Sequence, residues 1–193
     1  MEIVAKRINE KTIRTGEVRL SYPKVFKPNE EHEYDPGKYT LSILIDKNDT
    51  DTIGLINELI MDAAERGKKE LWKNSTVGVK TPLRDGDTER PESEECAGKF
   101  FLNAKTKNRP GVWTLDRMPI TDEMAVYGGC WALVVLRAYP FEHAGNKGIA
   151  MSFEHVIKTK DDASFAGYVS VTEAFNDIEG VDIFDTDQDS MLG

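Results

Sequence analysis

The run 127–139, Tyr-Gly-Gly-Cys-Trp-Ala-Leu-Val-Val-Leu-Arg-Ala-Tyr, constrains the fold more than any other stretch. Its even positions Ala132, Val134, Leu136 and Ala138 are uniformly apolar. A period of two puts them on one face of an extended chain, turned toward a core. The odd face begins with Trp131, Leu133 and Val135 and ends with Arg137 and Tyr139. Gly128-Gly129 interrupts the run near its start. A strand of this length needs neighbours, so the rest of the chain is read for them.

Three further runs share the period. Residues 16–22 alternate Val18, Leu20 and Tyr22 against Glu17, Arg19 and Ser21. Residues 38–45 align Tyr39, Leu41, Ile43 and Ile45, after the turn signal Pro36-Gly37. Residues 149–157 align Ile149, Met151, Phe153 and Ile157. Only one segment has helical spacing: Ile53, Ile56, Leu59, Ile60, Ala63 and Ala64. Residues 46–50 can cap it, Asp51 suits its first turn, and Arg66, Lys68 and Lys69 suit its last. Gly67 is a possible stop, and Trp72 is expected to pack the helix onto the sheet. Residues 74–97 read as a loop with a short extended piece near 77–81, and residues 140–148 as a hairpin loop. The expected class is therefore mainly β: a five-stranded OB-type Greek-key barrel with one inserted α-helix, long loops and an acidic C-terminal tail. A plain β-sandwich is the alternative.

The functional signal lies in residues 98–113. This block carries Lys99, Lys105, Lys107 and Arg109 with no carboxylate between them, together with Phe100, Phe101 and Trp113. Strand parity puts Phe100, Leu102 and Ala104 on a core face and Lys99, Phe101, Asn103 and Lys105 on the other. A sheet face showing an aromatic between lysines suits base stacking with phosphate neutralisation. A short strand through Val112 and Trp113 follows the turn at Arg109-Pro110-Gly111.

Charge is unevenly spread. The formal net charge is -9. Beyond Thr172 stand Glu173, Asp177, Glu179, Asp182, Asp185, Asp187 and Asp189, with no Lys or Arg. Residues 99–160 hold nine cations and five anions. Such polarity says more about partners than net charge does. The reading divides the chain into an N-terminal arm or short edge strand (1–12), a binding domain (13–172) and an acidic tail (173–193). No run of about 18 apolar residues suggests a membrane span. Residues 1–10 lack the pattern of a secretory signal. Two cysteines, Cys96 and Cys130, do not make a disulfide framework, and a reducing cytoplasm is the simplest setting.

Catalytic patterns are thin. His32, His143 and His155 lack metal-ligand spacing with the cysteines. Asp85-Gly86-Asp87 reads as a turn, and Asp185, Asp187 and Asp189 imitate only the first half of a calcium loop, with Ser190 where glycine is needed. No phosphate-cradling loop or nucleophile elbow is present. The expectation is a binder with no enzymatic activity, cofactor or metal. Its candidate contacts are Arg19, Tyr22, Phe26, Arg84, Phe101, Lys105, Lys107, Arg109, Trp113, Arg137, Tyr139, Phe141 and Lys147. Aromatics stack bases whatever their identity, and cations track the backbone. No helix rich in Arg, Asn or Gln suggests reading of a duplex. The tail sets Phe175, Ile178, Val181, Ile183 and Phe184 among acids, a pattern suited to mimicking a polyanion and to docking on proteins.

Several blocks together resemble the single-stranded DNA-binding proteins of tailed phages, a family first catalogued as a domain of unknown function. They are Gly16-Glu-Val-Arg-Leu-Ser-Tyr22, Tyr39-Thr-Leu-Ser-Ile-Leu-Ile45, Thr81-Pro-Leu-Arg-Asp-Gly-Asp87, Phe101-Leu-Asn-Ala104 with Arg109-Pro-Gly-Val112, Tyr127-Gly-Gly-Cys130, and Gly145-Asn-Lys-Gly-Ile-Ala150. The resemblance implies an OB fold, sequence-independent binding of single-stranded DNA, and work in phage replication or recombination in the cytoplasm of the infected bacterial host. It also implies that the acidic C-terminus contacts replication or recombination proteins, here through Asp182, Phe184, Asp185, Asp187 and Asp189. A monomer or a dimer fits equally. Two other readings stay open. One is a phage structural or adaptor protein. The other is a metal-dependent nuclease, which would need Asp85, Asp87 and Glu154 to converge.

Overall fold

The computed structural model describes residues 3–31, 33 and 36–167. Its strands are β1 (Lys6–Asn9), β2 (Thr12–Arg14), β3 (Val18–Asn29), β4 (Lys38–Asp46), β5 (Arg84–Asp85), β6 (Lys99–Thr106), β7 (Gly111–Trp113), β8 (Trp131–His143) and β9 (Asn146–Lys160). Helix α1 (Thr50–Glu70) lies between β4 and β5, and a single turn, α2 (Gly86–Glu89), follows β5.

Five of these strands close on themselves in the order β3-β4-β6-β9-β8 and back to β3. Every step is antiparallel except β6 to β9, which is parallel. That ring is the OB barrel expected from the strand pattern, and the sandwich alternative falls away. One circuit from Trp131 runs through Arg19, Leu44 and Phe101. It returns to β8 at Phe141, opposite Gly148, about ten residues further along. An offset that large for five strands means steep strand tilt and a narrow, side-chain-filled interior.

The interior is made by alternation. Val18, Leu20, Leu41, Ile43, Ile45, Leu102, Ala104, Ala132, Val134, Leu136, Ala138, Ile149, Met151 and Phe153 are all buried in one cluster. On β9 the expected register fails after Phe153. The pairing shifts between Val135 and Leu136 of β8, leaving an unpaired Glu154 on β9. A bulge of one residue inverts side-chain parity. Val156 therefore points inward at 0% exposure, and Ile157 is only half-buried.

Helix α1 packs into the same core through Ile56, Leu59 and Ala63. Asp49 caps it, its carboxylate accepting from the Thr52 amide at 3.0 Å. Gly67 does not stop the helix, which continues to Glu70. A Cβ there would come within 2.6 Å of the Trp72 ring and 2.7 Å of Pro140. The glycine thus admits Trp72, which is buried as expected and donates from Nε1 to the Phe141 carbonyl at 3.1 Å. Upstream, β1 forms an antiparallel edge with β2, and Arg7 ties it to Glu58 and Asp62 of α1. The hairpin between β8 and β9 is tighter than expected. Pairing continues to His143 and Asn146, and Ala144 and Gly145 turn with φ of 47° and 79°, the left-handed pair that matches strand twist.

After β9, residues 161–167 run back over the outside of the barrel as a strap. Trp131 Nε1 donates to Asp162 at 2.7 Å, Arg19 donates to the Ala163 carbonyl at 2.9 Å, and the Phe165 amide donates to the Gly128 carbonyl at 2.9 Å. The indole and amide donors hold the Asp162 carboxyl below its usual range. Gly129 has φ of 115°, and a Cβ there would stand 2.2 Å from the Ala163 carbonyl oxygen. Only glycine fits both demands. Replacing Gly129 with alanine should cost about 2 kcal/mol or more, from backbone strain plus the displaced strap. Urea unfolding of the two proteins measures it, and equal midpoints would contradict the geometry.

Candidate nucleic-acid interface

With the interior full, the outer face of β3, β4 and β6 is the surface to examine. Parity turns Arg19 and Ser21, Thr40, Ser42 and Leu44, and Phe101, Asn103 and Lys105 outward. One half of this face is covered. Leu44, Cys96 and Phe101 form a second, smaller cluster that Phe165 of the strap packs against. Phe101 is 0% exposed. The guanidinium groups of Arg90 and Arg84 lie 4.2 and 5.0 Å from its ring centre. The expected parity of Phe101 is right, but its expected role as an exposed stacking platform is not. The segment 84–98, nearly all of it within the 74–97 stretch read as a loop, folds over it.

That segment is latched. Lys47 Nζ donates to Asp85 at 2.8 Å and to Asp87 at 2.6 Å. Asp87 also accepts from the Gly98 amide at 2.8 Å. The Lys47 ammonium holds both carboxyls below their ordinary range, and the two carboxylates, Asp85 foremost, raise the Lys47 ammonium above its own. Asp85 and Asp87 thus serve as the anchor of a cover, paired with a lysine.

The other half of the face is open. It forms a trough lined by Tyr22, Lys24, Asn29, Thr40, Ser42, Arg90, Asn103 and Lys105. Among the described residues no carboxylate lines it. Tyr22 is 75% exposed, with φ of 46°. It sits where the pairing slips: Ser21 faces Ser42, yet Lys24 faces Thr40. The extra residue on β3 is a bulge, and holding a tyrosine left-handed costs on the order of 1–2 kcal/mol. The result is a ring thrown clear of the sheet above a floor of small polar side chains, where Ser42 donates to Asn103. Lys24, Arg90 and Lys105 rim that floor. On the other side of the cover, its own Glu92, Glu94 and Glu95 line the next hollow with Arg19, Lys99 and Phe165.

The structure brings together Tyr22 and Lys105 of the expected contacts and separates most others. Arg19 is committed to the strap and stacks on Phe165 at 4.4 Å and Trp131 at 5.6 Å. Phe26 is half-buried against the main core, a correction to its expected exposure. Arg84 pairs with Glu89. Lys107 and Arg109 are exposed in the turn after β6. Trp113 lies on β7 and donates to His155 Nδ1 at 3.2 Å. Arg137 and Tyr139 are exposed on β8. Phe141 is half-buried against Gly148, again unlike an open platform. Lys147 donates to the Ser75 carbonyl at 3.3 Å. Asp182, Phe184, Asp185, Asp187 and Asp189 lie outside the described residues. Lys24, Ser42 and Arg90 line the trough without having been expected there, whereas Asn103 stands on the face where parity put it. Continuing the strand past Pro23 would have found Lys24, whereas nothing local marks Arg90, which the latch delivers.

A closed five-stranded OB barrel with an aromatic raised over a basic trough defines a class: OB-fold proteins whose sheet face is fit for a single nucleic-acid strand. Within that class, residues 11–189 match the model of the single-stranded DNA-binding protein family of Enterobacter phage Enc34. The chain belongs to this family. It is 31% identical over 174 residues to putative protein p50 of Acyrthosiphon pisum secondary endosymbiont phage 1, covering 86% of this chain and 93% of that protein. Among solved structures it is similar to the bacteriophage Enc34 single-stranded DNA-binding protein in complex with ssDNA. There the TM-score is 0.71 at 27% identity, over 83% of this chain and 96% of the other. It shares its fold with gp2.5, the single-stranded DNA-binding protein of bacteriophage T7. That match has a TM-score of 0.60 at 13% identity, over 83% of this chain and 97% of the other.

Because Phe101 is enclosed, Phe101→Ala should act on stability, costing about 3–5 kcal/mol. Denaturant unfolding beside a binding titration on the folded fraction separates the two effects. An unchanged midpoint with weaker DNA binding would return Phe101 to the interface.

Proposed function

We propose that this chain binds single-stranded DNA without sequence preference and shields and organises it during phage replication or recombination inside the infected bacterium. The observation that carries the reading is Tyr22, 75% exposed above a trough rimmed by Lys24, Arg90 and Lys105. A strand laid there stacks a base on the ring, sets phosphates against the three cations, and meets neutral hydrogen-bonding groups below. The similarity to the Enc34 protein, solved with ssDNA, supports it. Lys107, Arg109 and Trp113, further along the β6–β7 segment, are proposed as outlying contacts. Among the described residues, no helix is long and apolar enough to cross a membrane.

The test is a titration of fluorescent oligo-dT at several salt concentrations, with a duplex of the same length beside it. Tight single-strand binding should weaken with salt, with a log–log slope of about 2 or steeper if three phosphates are neutralised. Tyr22→Ala should weaken binding by about 1–3 kcal/mol while melting like the parent. Absence of single-strand binding at low salt would leave an adaptor role, and magnesium-dependent cleavage would point to a nuclease.

The reading extends to the acidic tail as a tethered competitor for the cations and a docking peptide for partner proteins, with the barrel body 13–172 and residues 173–193 as separate working parts. The strap supports it, because Phe165 lies on the covered half of the same sheet face. Removing the residues after Thr172 should tighten ssDNA binding several-fold at low salt, and the gain should shrink as salt screens the tail. Equal or weaker binding by the shortened chain would refute the competitor.

A further inference from the structure

The strand register puts three cations in one row around the outside of the barrel. Lys24 of β3 faces Thr40 of β4, and Thr40 faces Lys105 of β6. The Ala104–Met151 bridge sets Lys105 beside Ser152 of β9, and Ser152 faces Arg137 of β8. The row therefore reads Lys24–Thr40–Lys105–Ser152–Arg137, a cation on every second strand and a hydroxyl between. All five turn outward, since their neighbours Val25, Leu41, Ala104, Met151 and Leu136 are buried in the core.

We infer that the single-strand track does not end in the trough but crosses β9 at Ser152 and reaches a second site at Arg137 and Tyr139 of β8. Neighbouring strands lie just under 5 Å apart, so Arg137 stands on the order of 10 Å beyond Lys105. The crossing is low, because Ala150 and Ser152 are the outward residues of β9 there and both are small. Arg137 is exposed, and Tyr139, opposite Ala150, is 40% exposed. The pair repeats the trough's chemistry of one ring and one cation. Glu154, unpaired at the β9 bulge two residues past Ser152, marks the border of the track. The ligand is a single-stranded polyanion long enough to leave the trough, so the inference rests on the proposed function.

The experiment uses the full chain and an oligo-dT ladder from about 6 to about 20 nucleotides, spanning the site sizes of OB folds. Arg137→Gln and Tyr139→Ala should leave the shortest oligomers bound as in the parent and weaken the longest about tenfold. For Arg137→Gln the salt slope on long oligomers should fall by about 0.7, the loss of one phosphate contact on a single strand. Ser152→Glu, which places a carboxylate in the crossing, should remove the same length advantage without touching either end. Equal losses at every length, or none at any length, would overturn the second site. If Tyr22→Ala weakens all lengths while the three β8 and β9 variants bind like the parent, the extension fails and the trough stands. If the parent binds no oligomer, both fail together.

Discussion

A closed ring of hydrogen bonds around one apolar interior is the constraint on which everything else here depends. Each barrel strand finds partners on both sides, so backbone groups are satisfied without burying a loop or exposing a long edge. Closure also divides the side chains. Every second residue is spent on the interior, with α1 completing the core. The remaining half faces outward and is released from packing. The trough residues can be Lys, Thr, Ser, Asn and Tyr because the core does not need them. Tyr22 shows the limit of that freedom, since raising its ring required a bulge and a strained backbone within an otherwise regular strand.

The outer face is then shaped by what lies over it. The segment 84–98, anchored by Lys47 on Asp85 and Asp87, and the strap 161–167, anchored by Asp162 and Ala163, meet above Leu44 and Phe101. Together they close one half of a surface whose other half stays open. The cover supplies Arg90 to the open side and lines the next hollow with Glu92, Glu94 and Glu95, the last of which also accepts from Ser21. A single latched segment thereby adds a cation to the trough and commits its own carboxylates elsewhere, Asp85 and Asp87 to Lys47 and Glu95 to Ser21. The exposed ion pairs of the latch are worth little as stability. Their value is positional.

Alternation was legible in the sequence, and so was the barrel. Leu102 and Ala104, the even positions of β8, and the helix face from Ile56 to Ala63 all lie where periodicity put them. Failures came where a local device breaks the period. The bulge at Glu154 exchanged Val156 for Ile157, and the bulge at Tyr22 hid the outward register of Lys24. Phe101 failed for a different reason. Its parity was right, but parity says which face a residue takes and nothing about what another segment lays over that face. Arg90 belongs with it, a loop residue carried to the trough by an ion-paired anchor that neither composition nor spacing reveals.

The same division resolves the apparent conflict between a net charge of -9 and a polyanionic ligand. Electrostatic influence between exposed charges fades over about 8–10 Å at ordinary salt. A phosphate in the trough therefore responds to Lys24, Arg90 and Lys105 far more than to the total. The acidic residues of the 92–95 segment belong to the cover, Glu95 accepting from Ser21 at the edge of the trough, and they oppose entry of a strand on that side. The field along the sheet face is thus directional, repelling past the cover and attracting along the row from Lys24 through Lys105. An acidic chain can hold a polyanion if cations line the path of its phosphates, and here Lys24, Arg90 and Lys105 line the trough while the nearby Glu95 carboxylate is tied to Ser21 at its edge.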